Sequence, residues 1–306
     1  MKKIIIILLL LTGLVILAGI IYYLGVIKPH DRAERDATQP YQRIISLSPN
    51  ITEILFALGA GEKVVGVTRF CNYPPEAKQK FQVGGYLDPN YEAIVSLKPD
   101  VVILLSNFQH ISNFLSELHI AHLSVSNETV SEIVSSIGFL GKTVAAEQRA
   151  EDLLNDIYSK IHHIEAKTKD TKRPKVMIVV ERTMGAGKIE NVYIVGKNTF
   201  YDELIQMAGG VNAFENTKIA FPILSAEGII HLNPDFIIDL VPQLEQTGLS
   251  ATDLKTDWKI LSQLDAVKNQ QVYILSEDYA VIPGPRFILF LEDLAKIIHP
   301  EIDWEL

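Results

Sequence analysis

The chain has 306 residues, 48% of them hydrophobic, and a formal net charge of −9. That length holds two domains with real cores, and the composition excludes an intrinsically disordered chain. The acidic balance argues against a nucleic-acid groove or an anionic membrane surface as the main partner, and a single cysteine, Cys71, excludes an intrachain disulfide and a cysteine-based zinc cluster.

Lys2 and Lys3 open the chain and precede an apolar run of 24 residues, 4–27, long enough to cross a bilayer as a helix. The lysines predict a cytoplasmic N-terminus, so residues 1–27 anchor a folded part that lies on the extracytoplasmic (periplasmic) face. A cleaved secretory signal, releasing the folded part, is the competing reading, but no convincing small-x-small cleavage site follows the run. Residues 28–42 are polar, charged and broken by Pro29 and Pro40, the composition of a tether.

Residues 43–143 read as an α/β lobe. A short strand at 43–48 turns through Pro49 into a helix that stops at Gly59, a second strand follows at 64–68, and two irregular loops cover 69–75 and 83–89. Then comes a phrase that the chain uses twice. Asn90-Tyr91-Glu92-Ala93-Ile94-Val95-Ser96-Leu97-Lys98-Pro99-Asp100-Val101-Val102-Ile103 returns 135 residues later as Ser225-Ala226-Glu227-Gly228-Ile229-Ile230-His231-Leu232-Asn233-Pro234-Asp235-Phe236-Ile237-Ile238. Each copy has an N-cap residue two places before a Glu, apolar residues at helical spacing, a Pro-Asp stop and an apolar run of strand length. Each therefore predicts a short helix feeding a buried strand, with Glu92 or Glu227 in the exposed first turn. A carboxylate there offsets the helix dipole by roughly 0.3–1 kcal/mol, which accounts for either Glu alone. Their recurrence in two lobes predicts a matched pair that meets a partner which is itself two-fold related.

Further strands and helices alternate through 108–118 and 121–125. Residues 144–168 contain no Pro or Gly, and Ala150, Leu153, Leu154, Ile157, Ile161 and Ile164 form one apolar stripe. This predicts a helix of roughly 36 Å that braces two lobes and limits hinge closure. Residues 169–306 restart the α/β alternation, with strands at 176–180 and 192–195 and helices at 199–207, 254–264 and 286–298.

Chemical signatures are absent. Gly185-Ala186-Gly187-Lys188 lacks the Gly and the Ser or Thr of a phosphate loop, where Arg182 and Ile189 stand instead. His162 and His163 lie about 100° apart around a helix axis and cannot share a metal. No nucleophile-base spacing of a hydrolase appears. The chain therefore reads as a non-enzyme with no metal site and no resident cofactor. An anchored enzyme or sensor on the same fold is the rival reading from another class.

Ser46-Leu47-Ser48-Pro49-Asn50-Ile51-Thr52-Glu53, Tyr73-Pro74-Pro75-Glu76, Leu97-Lys98-Pro99-Asp100 and Met207-Ala208-Gly209-Gly210-Val211-Asn212 resemble the helical-backbone substrate-binding proteins of ABC importers. Within that superfamily the chain, over residues 43–298, is most similar to the cobalamin-binding branch. The resemblance implies two α/β lobes joined by one long backbone helix (class III periplasmic binding protein-like). It also implies that cobalamin or a related corrinoid is captured in the inter-lobe cleft and delivered to a dimeric ABC permease with its ATPase subunits. By the same resemblance Glu92 and Glu227 meet arginines on the permease. The ligand-facing aromatic places fall to Phe70, Tyr86, Phe221 and Tyr279, and a loop contact runs from Asp278 to Ile282. The chain departs from the pattern where Phe70 lacks a phenol hydroxyl, where Tyr86 and Phe221 replace indoles, and where Ile282 replaces a charged residue. Heme and ferric-siderophore receptors share the framework. Heme would want an axial Tyr, His or Met, and a siderophore would want cations such as Arg69, Arg182, Lys218 and Arg286.

Overall fold

The structure is a computed structural model and describes residues 40–304. The expected membrane helix lies outside the described residues, among which no helix is long and apolar enough to cross a membrane.

In the N-terminal lobe the apolar runs become five strands, β1 (Ile44–Ser46), β2 (Val64–Val67), β3 (Phe81–Gln82), β4 (Val101–Leu105) and β5 (His122–Val125). Between and after them stand α1 (Pro49–Ala57), α2 (Tyr91–Ser96), α3 (Gln109–Glu117) and α4 (Val130–Val144). The strands pair in the order β3-β2-β1-β4-β5, all parallel. Central strands of such a sheet are covered by helices on both faces, which is why β4 is an unbroken apolar run and β1 is buried throughout, Ser46 included.

The backbone helix α5 (Glu147–Thr168) begins three residues later than its sequence spacing predicts. Val144, expected in the brace, is the last residue of α4, and Ala145 ends that helix in a left-handed conformation at φ 56°. Gly usually takes that position, so an Ala gives the sequence no visible break. The helix α4 was not predicted at all, although Thr129 and Glu132 hold the spacing of a capping box and the Thr129 hydroxyl accepts from the Glu132 N–H.

The C-terminal lobe contains β6 (Lys175–Glu181), β7 (Val192–Ile194), α6 (Phe200–Met207), β8 (Val211–Asn212), β9 (Ile223–Leu224), α7 (Ala226–Leu232), β10 (Phe236–Leu240), α8 (Ala251–Trp258), α9 (Asp265–Lys268), β11 (Val272–Leu275) and α10 (Phe287–Ile298). The helix expected over 254–264 is α8 followed by a 3-10 turn, Lys259–Leu261. Strand order is β11-β10-β6-β7-β9, with β8 beside β6 and with β7 antiparallel to both neighbours. The parallel part, β6-β10-β11, repeats β1-β4-β5 of the first lobe.

The duplicated phrase does the same structural work in both places. The Asn90 side chain accepts from the Ala93 N–H and Ser225 accepts from the Gly228 N–H, so each caps its helix. The Asp100 carboxylate accepts from the Arg43 N–H at 2.8 Å, and Asp235 accepts from the Lys175 N–H at 2.7 Å. The Pro-Asp pair thus stops the helix and also clamps the entry to each lobe's first strand.

One apolar core cluster runs through both lobes, beside a smaller cluster in each. It joins Ile51, Ile54 and Ile137 of the first lobe, Ile157, Ile161 and Ile164 of α5, and Leu204, Phe287 and Leu291 of the second. At roughly 25 cal/mol per Å² of exposed apolar surface, wide separation of the lobes would be costly. The Val130 N–H at the start of α4 also donates to Glu203 of α6 at 2.7 Å.

Candidate functional site

Parallel strands bring their carboxyl ends to one edge of a sheet, and the loops that leave this edge carry binding side chains. The carboxyl edges of the two sheets face each other here. Glu53, on α1 just past β1, receives a two-point bond from Arg286 at 2.9 and 2.6 Å, and the remaining Arg286 nitrogen bonds Asp278, just past β11, at 2.7 Å. The guanidinium also lies 3.7 Å from the centre of the Tyr73 ring. A Cβ at Gly284 would stand 3.2 Å from the Asn50 Cα, so the lobes approach closely there and a side chain would crowd them. Glu53 is only 3% exposed. Burial pushes its carboxyl above the ordinary range despite the bond to Arg286. Burial also works against the Arg286 charge, but Glu53 and Asp278 more than offset it and hold the guanidinium firmly protonated.

The structure gathers part of the expected aromatic set. Phe70 follows β2 and Tyr86 follows β3, with ring centres 5.5 Å apart. Phe108, which the sequence reading missed, follows β4 and stands 5.7 Å from Tyr86. Its position just past a buried strand on the carboxyl edge was the available signal. The Arg69 guanidinium lies 5.0 Å over Phe70 and bonds Asp88 at 2.9 Å. Phe70 is 42% exposed and Tyr86 37%, so these two rings present bare aromatic surface.

Phe221, 48% exposed, leads into β9. The Gly196 N–H donates to Ala220 O at 2.7 Å and the Ile194 N–H to Pro222 O at 3.0 Å, which fixes Phe221 beside β7, at the opposite side of the sheet from β11. No ring contact joins it to Phe70 or Tyr86 among the described residues. Tyr279 lies in a 3-10 turn, Asp278–Ala280, where a loop was expected, and its hydroxyl donates to Asp293 at 2.7 Å. Burial first, then Asp293, keeps that phenol protonated well above the ordinary range. Asp278 and Tyr279 therefore group around Arg286, while Ile282 is half-buried on the same loop.

A cavity of about 630 Å³ opens between the lobes. Asn72 and Lys78 line it from one side, and residues 243–246, Leu249, Ser276 and Asp278 from the other. Apart from Asp278, none of these was read from the sequence. Of the four cations considered for an anionic ligand, three already have carboxylates. Arg69 bonds Asp88, Arg286 bonds Glu53 and Asp278, and Arg182 is buried between Asp239 at 2.8 Å and Asp257 at 2.9 Å. Lys218 is exposed. Burial raises the Asp239 carboxyl. It opposes ionisation of Asp257 as well, but Arg182 and the Gly185 and Gly187 N–H groups outweigh it and lower that carboxyl.

Glu92 and Glu227 are exposed in the first turns of α2 and α7. Both helices follow strands that run toward the carboxyl edge, so both first turns start from that edge. The Ser225 hydroxyl donates to Glu227 at 3.0 Å.

Two α/β lobes on a shared core, with a ligand-sized gap between facing carboxyl edges, define a binding protein. The chain belongs to the periplasmic binding protein family, whose model matches residues 44–279. It is 31% identical to an uncharacterized ABC transporter substrate-binding lipoprotein of Bacillus subtilis over 279 residues, which cover 89% of this chain and 85% of that one. It is 26% identical to the vitamin B12-binding protein of Vibrio parahaemolyticus, over 82% of this chain and 86% of that one. A periplasmic heme-binding protein from Roseiflexus, in its apo form, superposes with a TM-score of 0.71 at 28% identity, covering 85% of this chain and 98% of that one.

Proposed function

We propose that the chain captures cobalamin or a related corrinoid in the gap between its lobes and delivers it to the dimeric permease of an ABC importer with its ATPase subunits. The observation that carries this reading is the cluster of exposed Phe70 and Tyr86 with half-buried Phe108, on an edge that faces the other lobe. A corrin is a large, nearly neutral disc with apolar edges, and aromatic surface with a few hydrogen-bonding groups suits it. The vitamin B12-binding relative supports the same ligand class. An anionic ferric siderophore is disfavoured, because Arg69, Arg182 and Arg286 are already neutralised.

Heme is the second reading. The Tyr86 phenol, exposed in the aromatic cluster and without a hydrogen-bond partner among the described residues, is the group that would reach an iron. Calorimetric titration of the full-length protein with cyanocobalamin and with hemin separates the two. Saturable heat with cyanocobalamin supports the proposal, and heat with hemin alone overturns it.

Glu92 and Glu227 are the docking pair in this reading. Their identical places in the duplicated phrase, their exposure and their starts on facing edges support a partner of two-fold symmetry. Residues 1–27 would hold the protein at the extracytoplasmic face of the membrane.

A further inference from the structure

The cavity between the lobes has a polar wall that the aromatic cluster does not supply. Asn72 stands on one side, and Gln243 and Gln246, on the loop that leaves β10, stand on the other. All three side chains are exposed and none makes a hydrogen bond among the described residues. Gln243 sits at φ 61°, a left-handed conformation uncommon for a residue other than glycine, and its carbonyl accepts from the Gln246 N–H at 2.8 Å. One tight turn thereby presents two carboxamides to the gap. The charged groups on the same lining are one cation, Lys78, and two acids, Glu245 and Asp278, of which Asp278 already holds Arg286.

We infer that Asn72, Gln243 and Gln246 form a carboxamide subsite, selecting a neutral macrocycle with primary-amide side arms over an equally large ring that carries carboxylates. The inference rests on the corrinoid reading and assigns the amide side arms that the aromatic cluster leaves without partners. Each carboxamide offers both a donor and an acceptor, and a primary amide on the ligand answers both at once. A carboxylate can only accept, so it leaves the carboxamide oxygens of the wall without donors. Discrimination of this kind is strong because the wrong ligand leaves polar groups of the site unpaired.

The test is calorimetric titration of the full-length protein with cyanocobalamin and with cobyrinic acid, whose corrin ring carries carboxylates where cobalamin carries amides. Wild-type protein is expected to prefer cyanocobalamin by at least about 100-fold. The double variant Asn72→Ala with Gln246→Leu is expected to lose about tenfold in cyanocobalamin affinity and to stay within about threefold for cobyrinic acid. Gln243→Asn, which keeps a residue tolerant of left-handed backbone, is expected to show a smaller loss in the same direction. The ratio of the two affinities does not depend on the fraction of protein that is folded, so a poorly folding variant still reports. If cyanocobalamin binds but the ratio is near one, or is unchanged in the variants, the subsite is overturned while the corrinoid reading stands. If neither ring binds the wild type, both fall together.

Discussion

Removing the Arg286 side chain would leave the Glu53 carboxylate buried and without its two-point partner. Arg286→Met is therefore expected to lower the unfolding free energy by about 3–5 kcal/mol, read from urea denaturation, because breaking one side of a buried pair strands the other charge. Glu53 also makes stability depend on pH. Burial raises its pKa, so the folded chain binds that proton more tightly than the unfolded chain does. The resulting stabilisation is fully present below the ordinary glutamate value and is lost as pH rises through the raised one. In Glu53→Gln that fall should disappear, and urea midpoints taken from about pH 4 to about pH 7 should slope less than those of the wild type. Glu53 was visible in the sequence as part of a family motif, yet its partner stands 233 residues away, and no local pattern links the two.

At the scale of elements, the duplicated phrase was legible because capping is local. Asn90 and Ser225 each bond an N–H three residues on, within reach of sequence spacing. The break between α4 and α5 was not, because Ala145 occupies a left-handed turn that glycine normally marks. That misfit is itself testable. Ala145→Gly should raise stability by about 0.5–1 kcal/mol, seen as a higher urea midpoint, since glycine takes φ 56° without the Cβ penalty and this gain exceeds its added unfolded-state entropy. The same reasoning explains Phe221. Its side of the sheet is set by the antiparallel pairing of β7 with β6 and β9, which apolar patterning does not encode.

At the scale of the whole molecule, the proposed docking pair would act through orientation more than through ligand contact. Glu92→Lys together with Glu227→Lys is expected to leave cyanocobalamin affinity within about twofold and to abolish permease-dependent uptake in cells. Either single reversal should have a milder effect. Loss of ligand binding with normal uptake of a saturating ligand would reverse the assignment. The one shared core and the Glu53–Arg286 bond also predict that ligand binding leaves the lobes nearly in place. X-ray scattering should then show a change in radius of gyration below about 0.5 Å, small beside hinge closures. The sequence by itself determined the two-lobe α/β plan, the brace and the paired acids, because periodicity, caps and a repeated phrase are short-range properties. Only the tertiary structure decided which carboxyl edges face each other, that Arg286 locks them, and that Asn72, Gln243 and Gln246 share one cavity. Those arrangements are made by groups far apart along the chain, and packing alone selects which of them meet.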